Sequence, residues 1–88
     1  MIFETTAVLH TEKGEKEVRY FVTKPSLPQG LTVPSYGVGI SDGEIQHIIP
    51  AFLPDKDETI NLIKRISKGQ VTPVTFRDVL EDYLAERA

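Results

Sequence analysis

No cysteine occurs in the 88 residues. That removes disulfides, thiolate zinc sites and thiol nucleophiles together. No apolar run approaches the ~18 residues of a membrane-spanning helix, so no membrane partner is expected. The opening MIFETTAVLH places an acid early and has no basic segment ahead of an apolar core. It does not read as a signal peptide, which favours the cytoplasm. Positive charge is in deficit: 10 basic side chains face 13 acidic ones, for a net charge of −3. Nucleic-acid binders usually carry a basic patch that releases counterions, and here both signs are mixed along the chain. DNA and RNA are therefore not expected partners. No internal repeat or low-complexity segment is present.

What remains is ordinary globular material, 40% hydrophobic and 26% charged, with no sign of disorder. The length fits one domain over residues 1–88, with a radius of gyration of roughly 12 Å. A chain this short buries only about 60–65% of its unfolded surface, so its stability margin is thin.

Ile2–His10 and Glu17–Thr23 are rich in Val, Thr, Phe and Tyr and are separated by the polar cluster TEKGEK. This is a hairpin signal. A two-residue turn at Lys13-Gly14 pairs Leu9 with Val18 and Ala7 with Tyr20. A type I turn with Gly14 left-handed and a following bulge pairs Val8 with Val18. Lysine is a poor first residue for a type I′ turn, so the bulged form is preferred. Lys24–Pro34 holds three prolines and a glycine and reads as a connection, leaving the strand order open.

A second hairpin is signalled by Asp42-Gly43 between apolar alternations. A two-residue turn pairs Ile40 with Ile45, Val38 with His47 and Tyr36 with Ile49, all on one face. The opposite face carries Ser35, Gly37, Gly39, Ser41, Glu44, Gln46 and Ile48. Two glycines at strand spacing weaken a strand. Either they serve a bend, a bulge or close packing by a loop such as Leu27–Val33, or they leave a bare face for another backbone to approach.

Two amphipathic helices follow. Asp55 with Glu58 forms a capping-box pattern, and Ile60, Leu62, Ile63 and Ile66 form an apolar stripe. Lys64, Arg65 and Lys68 suit the C-terminal dipole, and Gly69 is the expected C′ stop. In the second helix Thr75 is the expected N-cap with Asp78 at N3, and Val74 and Val79 the expected staple. Phe76, Val79, Leu80, Tyr83 and Leu84 make its apolar face. Strands first and helices second predict an α+β fold: an antiparallel four-stranded sheet of two hairpins, with a C-terminal helical hairpin on one face.

The chemistry-bearing side chains are sparse. A zinc site needs three or four ligands, and the two histidines, His10 and His47, have no companions in sequence. A lone inward His47 reads as a hydrogen-bonded core residue, and His10 as a surface neighbour of Glu17. Asp55, Asp57 and Glu58 sit where a helix N-terminus favours acids. Gly37-Val38-Gly39 is followed by a strand and a turn, not by a helix, so it is no dinucleotide fingerprint. No catalytic, metal or cofactor site is assigned.

Tyr36-Gly37, the segment Val71-Thr72-Pro73 and the helix residues Asp78, Val79, Glu81 and Asp82 together resemble a family of small uncharacterised proteins from clostridia and related Firmicutes, a domain of unknown function. The resemblance covers about the last 50 residues. It implies a bacterial cytoplasmic protein with no known activity and brings no catalytic residues.

The function expected from these residues is binding, as a regulatory or adaptor module. The partner is another protein or a second copy of the chain, held through the sheet. The candidate contact residues are Gly37, Gly39, Gln46 and Ile48, with Asp78, Glu81 and Asp82 as an acidic stripe. This reading expects Gly39→Lys to leave the fold intact. The alternative is a small-molecule sensor or minor enzyme with a pocket between sheet and helices, using His47 and Tyr36.

Overall fold

The structure, a computed structural model, describes residues 1–30 and 32–87. Four strands, β1 (Phe3–Thr11), β2 (Gly14–Ser26), β3 (Ser35–Ser41) and β4 (Gln46–Leu53), precede two helices, α1 (Lys56–Lys68) and α2 (Phe76–Arg87). The sheet is antiparallel throughout, in the order β1-β2-β3-β4. Each strand lies beside its neighbour in sequence, so the long proline-rich connection makes no crossover. With two helices packed against this sheet, the α+β expectation holds. The radius of gyration is 13.2 Å and the longest dimension 45 Å. The 13 residues of β2 account for that axis, since strands rise about 3.3 Å per residue.

Both hairpin registers differ from the sequence expectation. In the first, Thr11 faces Gly14 and Ala7 faces Val18. The turn is Glu12-Lys13, one residue earlier than Lys13-Gly14, and no bulge shifts the ladder. Gly14 takes the positive φ, +116°, and lysine is spared it. The Thr11 hydroxyl donates to the Gly14 carbonyl at 2.7 Å and closes the turn. In the second, Ile40 faces His47 and Val38 faces Ile49. The Asp42 carboxylate accepts from the Glu44 and Ile45 amides, at 2.9 and 2.7 Å. That side-chain turn lengthens the loop to Asp42–Ile45. The slip is two residues, so Val38, Ile40, His47 and Ile49 keep their common face; Ile45 leaves it for the loop.

β2 extends through Pro25 to Ser26, where only a connection was expected. β1 begins opposite Val22, so one side of β2 is open there and a missing N–H is tolerated. A ladder irregularity between Thr23 and Pro25 absorbs the change.

The core lies between the sheet and the helices. Val18, Tyr20 and Val22 of β2 and Val38 and Ile40 of β3 are buried against Leu62, Ile63 and Ile66 of α1. Phe76 and Leu80 bring α2 into the same cluster. The Tyr20 hydroxyl donates to the Val71 carbonyl at 2.7 Å, tying the middle of the sheet to the turn between the helices. Burial raises the pKa of that phenol.

The caps depart from expectation in a consistent way. The Asp55 carboxylate accepts from the Glu58 amide at 2.8 Å, but the Glu58 side chain leaves the box and reaches α2. Gly69 closes α1 in a right-handed conformation, φ −77°, and Gln70 takes the left-handed one, φ 52°. The Gln70 and Val71 amides donate to the carbonyls of Ser67 and Ile66. This is the Schellman pattern with glutamine at C′. The Thr75 hydroxyl bonds within the turn to Thr72. Val74 is 80% exposed, so the expected staple with Val79 does not form.

Candidate functional site

Alternation of the pleat puts Gly37 and Gly39 on the face turned away from the helices. Both are buried. A Cβ on Gly39 would collide with the ring of Phe21, its partner on β2. One on Gly37 would collide with the Thr23 hydroxyl and would lie 2.8 and 2.9 Å from the carbonyl oxygens of Pro50 and Ile49. The glycines are therefore covered from within, chiefly by Phe21, which is itself buried. Leu27 and Val33 of the connection are exposed, and Leu31 lies outside the described residues. Gly39→Lys has to displace Phe21. Of the same face, Gln46 and Ile48 are exposed.

Asp78, Glu81 and Asp82 are all exposed on α2 but look different ways. Glu81 lines a groove of about 290 Å³ between α2 and β4, with Arg77 and Leu84. Asp82 lines another of about 260 Å³ between the helices, opposite Arg65. The structure does not unite them with the Gln46–Ile48 face. His47 is half-buried opposite Ile40, and neither it nor Tyr36 lines these grooves. His10 sits 3.8 Å from Glu15, its cross-strand neighbour, rather than by Glu17. Among the described residues no group of three or more His, Asp or Glu is placed to hold a metal ion. No helix among the described residues is long and apolar enough to cross a membrane.

Two charged clusters hold the scaffold. Glu58 of α1 receives the Tyr83 hydroxyl at 2.5 Å and Arg87 through two nitrogens, at 2.6 and 3.0 Å. The start of α1 thus meets the end of α2, and the helices run antiparallel. The Arg87 bond, then the Tyr83 bond, holds the Glu58 carboxyl down at about 2. The same Glu58 bond raises the Tyr83 phenol. At the other end Lys16 lies 3.2 Å from Asp42 and 3.6 Å from Glu44, linking the two hairpins. Asp42 is lowered, first by the Ile45 and Glu44 amides and then by Lys16.

The most distinctive surface, which sequence reasoning missed, is the β1 edge. Among the described residues no strand pairs with the outer side of β1. A groove of about 770 Å³ is lined by β1 and α1 together. Thr5, Thr6, Ala7 and Val8 form its floor, and Asn61, Lys64, Arg65, Lys68 and Gln70 its wall. Gln70 Nε2 donates to the Val8 carbonyl at 3.4 Å. That carbonyl therefore points out of the sheet. In an antiparallel strand a residue's N–H and C=O share a side and successive residues alternate, so Glu4, Thr6 and Val8 turn their backbone groups outward, where no strand among the described residues pairs with them. The signal in the sequence was the cation triplet at the end of α1, which the dipole alone seemed to explain.

A four-stranded antiparallel meander, covered on one face by antiparallel helices and open along one cation-walled edge, defines the class: a small α+β protein with a free strand edge. The chain belongs to DUF6514, a family of unknown function, which it matches over residues 1–86. No curated protein and no solved structure matches it.

Proposed function

We propose that this protein is a binding module, a bacterial cytoplasmic adaptor or regulator, whose partner polypeptide adds to β1 as a fifth strand. One observation carries the reading: a regular nine-residue edge strand with outward backbone groups lies beside an open groove. Exposed edges of this kind are templates for pairing, and proteins normally blunt them. In strand addition the main chain supplies affinity and side-chain pockets supply specificity. The bacterial and cytoplasmic setting follows the resemblance carried by Tyr36-Gly37 and Val71-Thr72-Pro73. The outer sheet face at Gln46 and Ile48, and the acidic residues Asp78, Glu81 and Asp82, serve as secondary contact surfaces.

Selection of a random peptide library on the protein tests this. Enriched peptides are expected to slow amide exchange at Thr6 and Val8 and to lose binding to Thr6→Pro, which deletes one outward donor. Enriched peptides that protect only the outer face, and bind Thr6→Pro equally well, would contradict it.

A further inference from the structure

The wall of the groove specifies what kind of strand enters. Lys64, Arg65 and Lys68 all line it. Among the described residues none of the three has a carboxylate partner; the same holds for Lys13, Lys24, Lys56 and Arg77, so what marks the groove is that three such cations share one wall. Unpaired cations gathered on one wall, in a chain of net charge −3, are a local reversal of sign.

Their spacing carries more. Two contacts tie α1 and the residue after it to β1 along the groove: Lys64 Nζ lies 5.6 Å from the centre of the Phe3 ring, and Gln70 reaches Val8. Four helical residues rise about 6 Å, so Lys64 and Lys68 stand that far apart along the axis. Alternate residues of an extended strand, which share a face, are about 6.7 Å apart. The spacing of two cations at i and i+4 on the helix is thus close to that of two side chains at i and i+2 on a strand.

Building on the strand-addition reading, we propose that the β1 edge binds an extended acidic peptide with carboxylates at alternate positions. Those carboxylates face Lys64 and Lys68, with Arg65 between them at the rim. Gln70 occupies the edge until then: its carboxamide bonds the Val8 carbonyl as the first amide of the incoming strand would, and it swings out when the peptide binds.

The test uses three synthetic peptides, Val-Glu-Val-Glu-Val-Thr and its Gln and Lys counterparts, with binding followed by fluorescence polarisation. The Glu peptide is expected to bind wild type. Exposed ion pairs contribute modestly and are screened by salt, so two of them should be worth about ten-fold. The double variant Lys64→Glu/Lys68→Glu should lose that factor and gain the Lys peptide. Methylating alternate amide nitrogens of the Glu peptide should abolish binding without touching the protein, which covers the case in which Thr6→Pro fails to fold.

Equal affinity of the Gln and Glu peptides would overturn the acidic specification and leave strand addition standing. Binding indifferent to both N-methylation and Thr6→Pro would overturn strand addition itself. If no peptide binds and the protein forms a dimer that Thr6→Pro dissolves, the occupant is a second copy, and the acidic-peptide proposal is wrong. A monomer that binds none of the three contradicts both.

Discussion

The two edges of this sheet are built to opposite rules. β4 carries Pro50, has a ladder irregularity between the pairs at Tyr36 and Val38, and lies under Leu80 and Leu84 of α2. Proline, a bulge and a covering helix are three ordinary ways to stop a strand from pairing further. β1 has neither proline nor bulge. Its register is unbroken from Phe3 to Thr11, and although its inner face packs on the core through Phe3, Ala7 and Leu9, its outer edge stays unpaired among the described residues. One edge is finished and the other is left open. Three cations line the groove at the open edge; the groove at the closed edge is lined by one cation and one acid, Arg77 and Glu81.

The largest way to break this comparison is to damage the closed edge. Gly37→Ala places a Cβ against the Ile49 and Pro50 carbonyls, backbone atoms that cannot swing away. The expected cost is about 2 kcal/mol, read from urea midpoints. Gly39→Ala meets the Phe21 ring, a side chain that can rotate, and should cost about half as much. Equal costs would mean that the β3–β4 junction is softer than described.

The next effect separates the edges by pH. The Glu58 carboxyl is held at about 2 in the folded state, below its usual value near 4.5. A lowered acid stabilises fully above its unfolded pKa and loses that contribution as pH falls through the folded one. Between about pH 4.5 and 2, wild type should lose more thermal stability than Glu58→Gln, which lacks the charge throughout. The clamp holds α2, and α2 covers β4, so amide exchange should rise on the β4 side and not along β1. A parallel fall in both proteins would count against the clamp.

Smaller still is Gln70→Gly. It relieves a non-glycine left-handed residue, so it should raise stability by about 1 kcal/mol in urea unfolding. It also frees the Val8 carbonyl and should sharpen peptide binding. The smallest effect is Gly69→Ala. Its φ is ordinary, and the nearest atom to a new Cβ is the Arg65 carbonyl oxygen at 3.5 Å. A gain of about 0.5 kcal/mol is expected. A loss would show that Gly69, not Gln70, is the strained cap.

These last two positions show how far the sequence could be read. The α+β architecture was legible because alternation in Tyr36–Ile40 and helical period in Ile60–Ile66 are short-range signals. The hairpin registers were not, because side-chain bonds from Thr11 and Asp42 set their turns: the first lies one residue from the preferred bulged register, and the second slipped by two and kept its faces. Gly69 looked like the left-handed stop, yet the Schellman bonds fell one residue later. Glu58 looked like a capping partner until Arg87, 29 residues on, claimed it. The glycine row was visible, and its cover was not: Phe21 lies across Gly39 only because β2 and β3 are neighbours, and the sequence left strand order open. The β1 groove is likewise a product of topology. Lys64 and Thr6 are far apart in sequence, and nothing local links them.

The most direct measurement is residue-resolved amide exchange of the protein with and without the alternating-Glu peptide. Protection appearing at Thr6 and Val8, with β4 unchanged, is the predicted result. Protection confined to Gln46 and Ile48, with Thr6 and Val8 still exchanging freely, would contradict the claim that the open edge is the binding site.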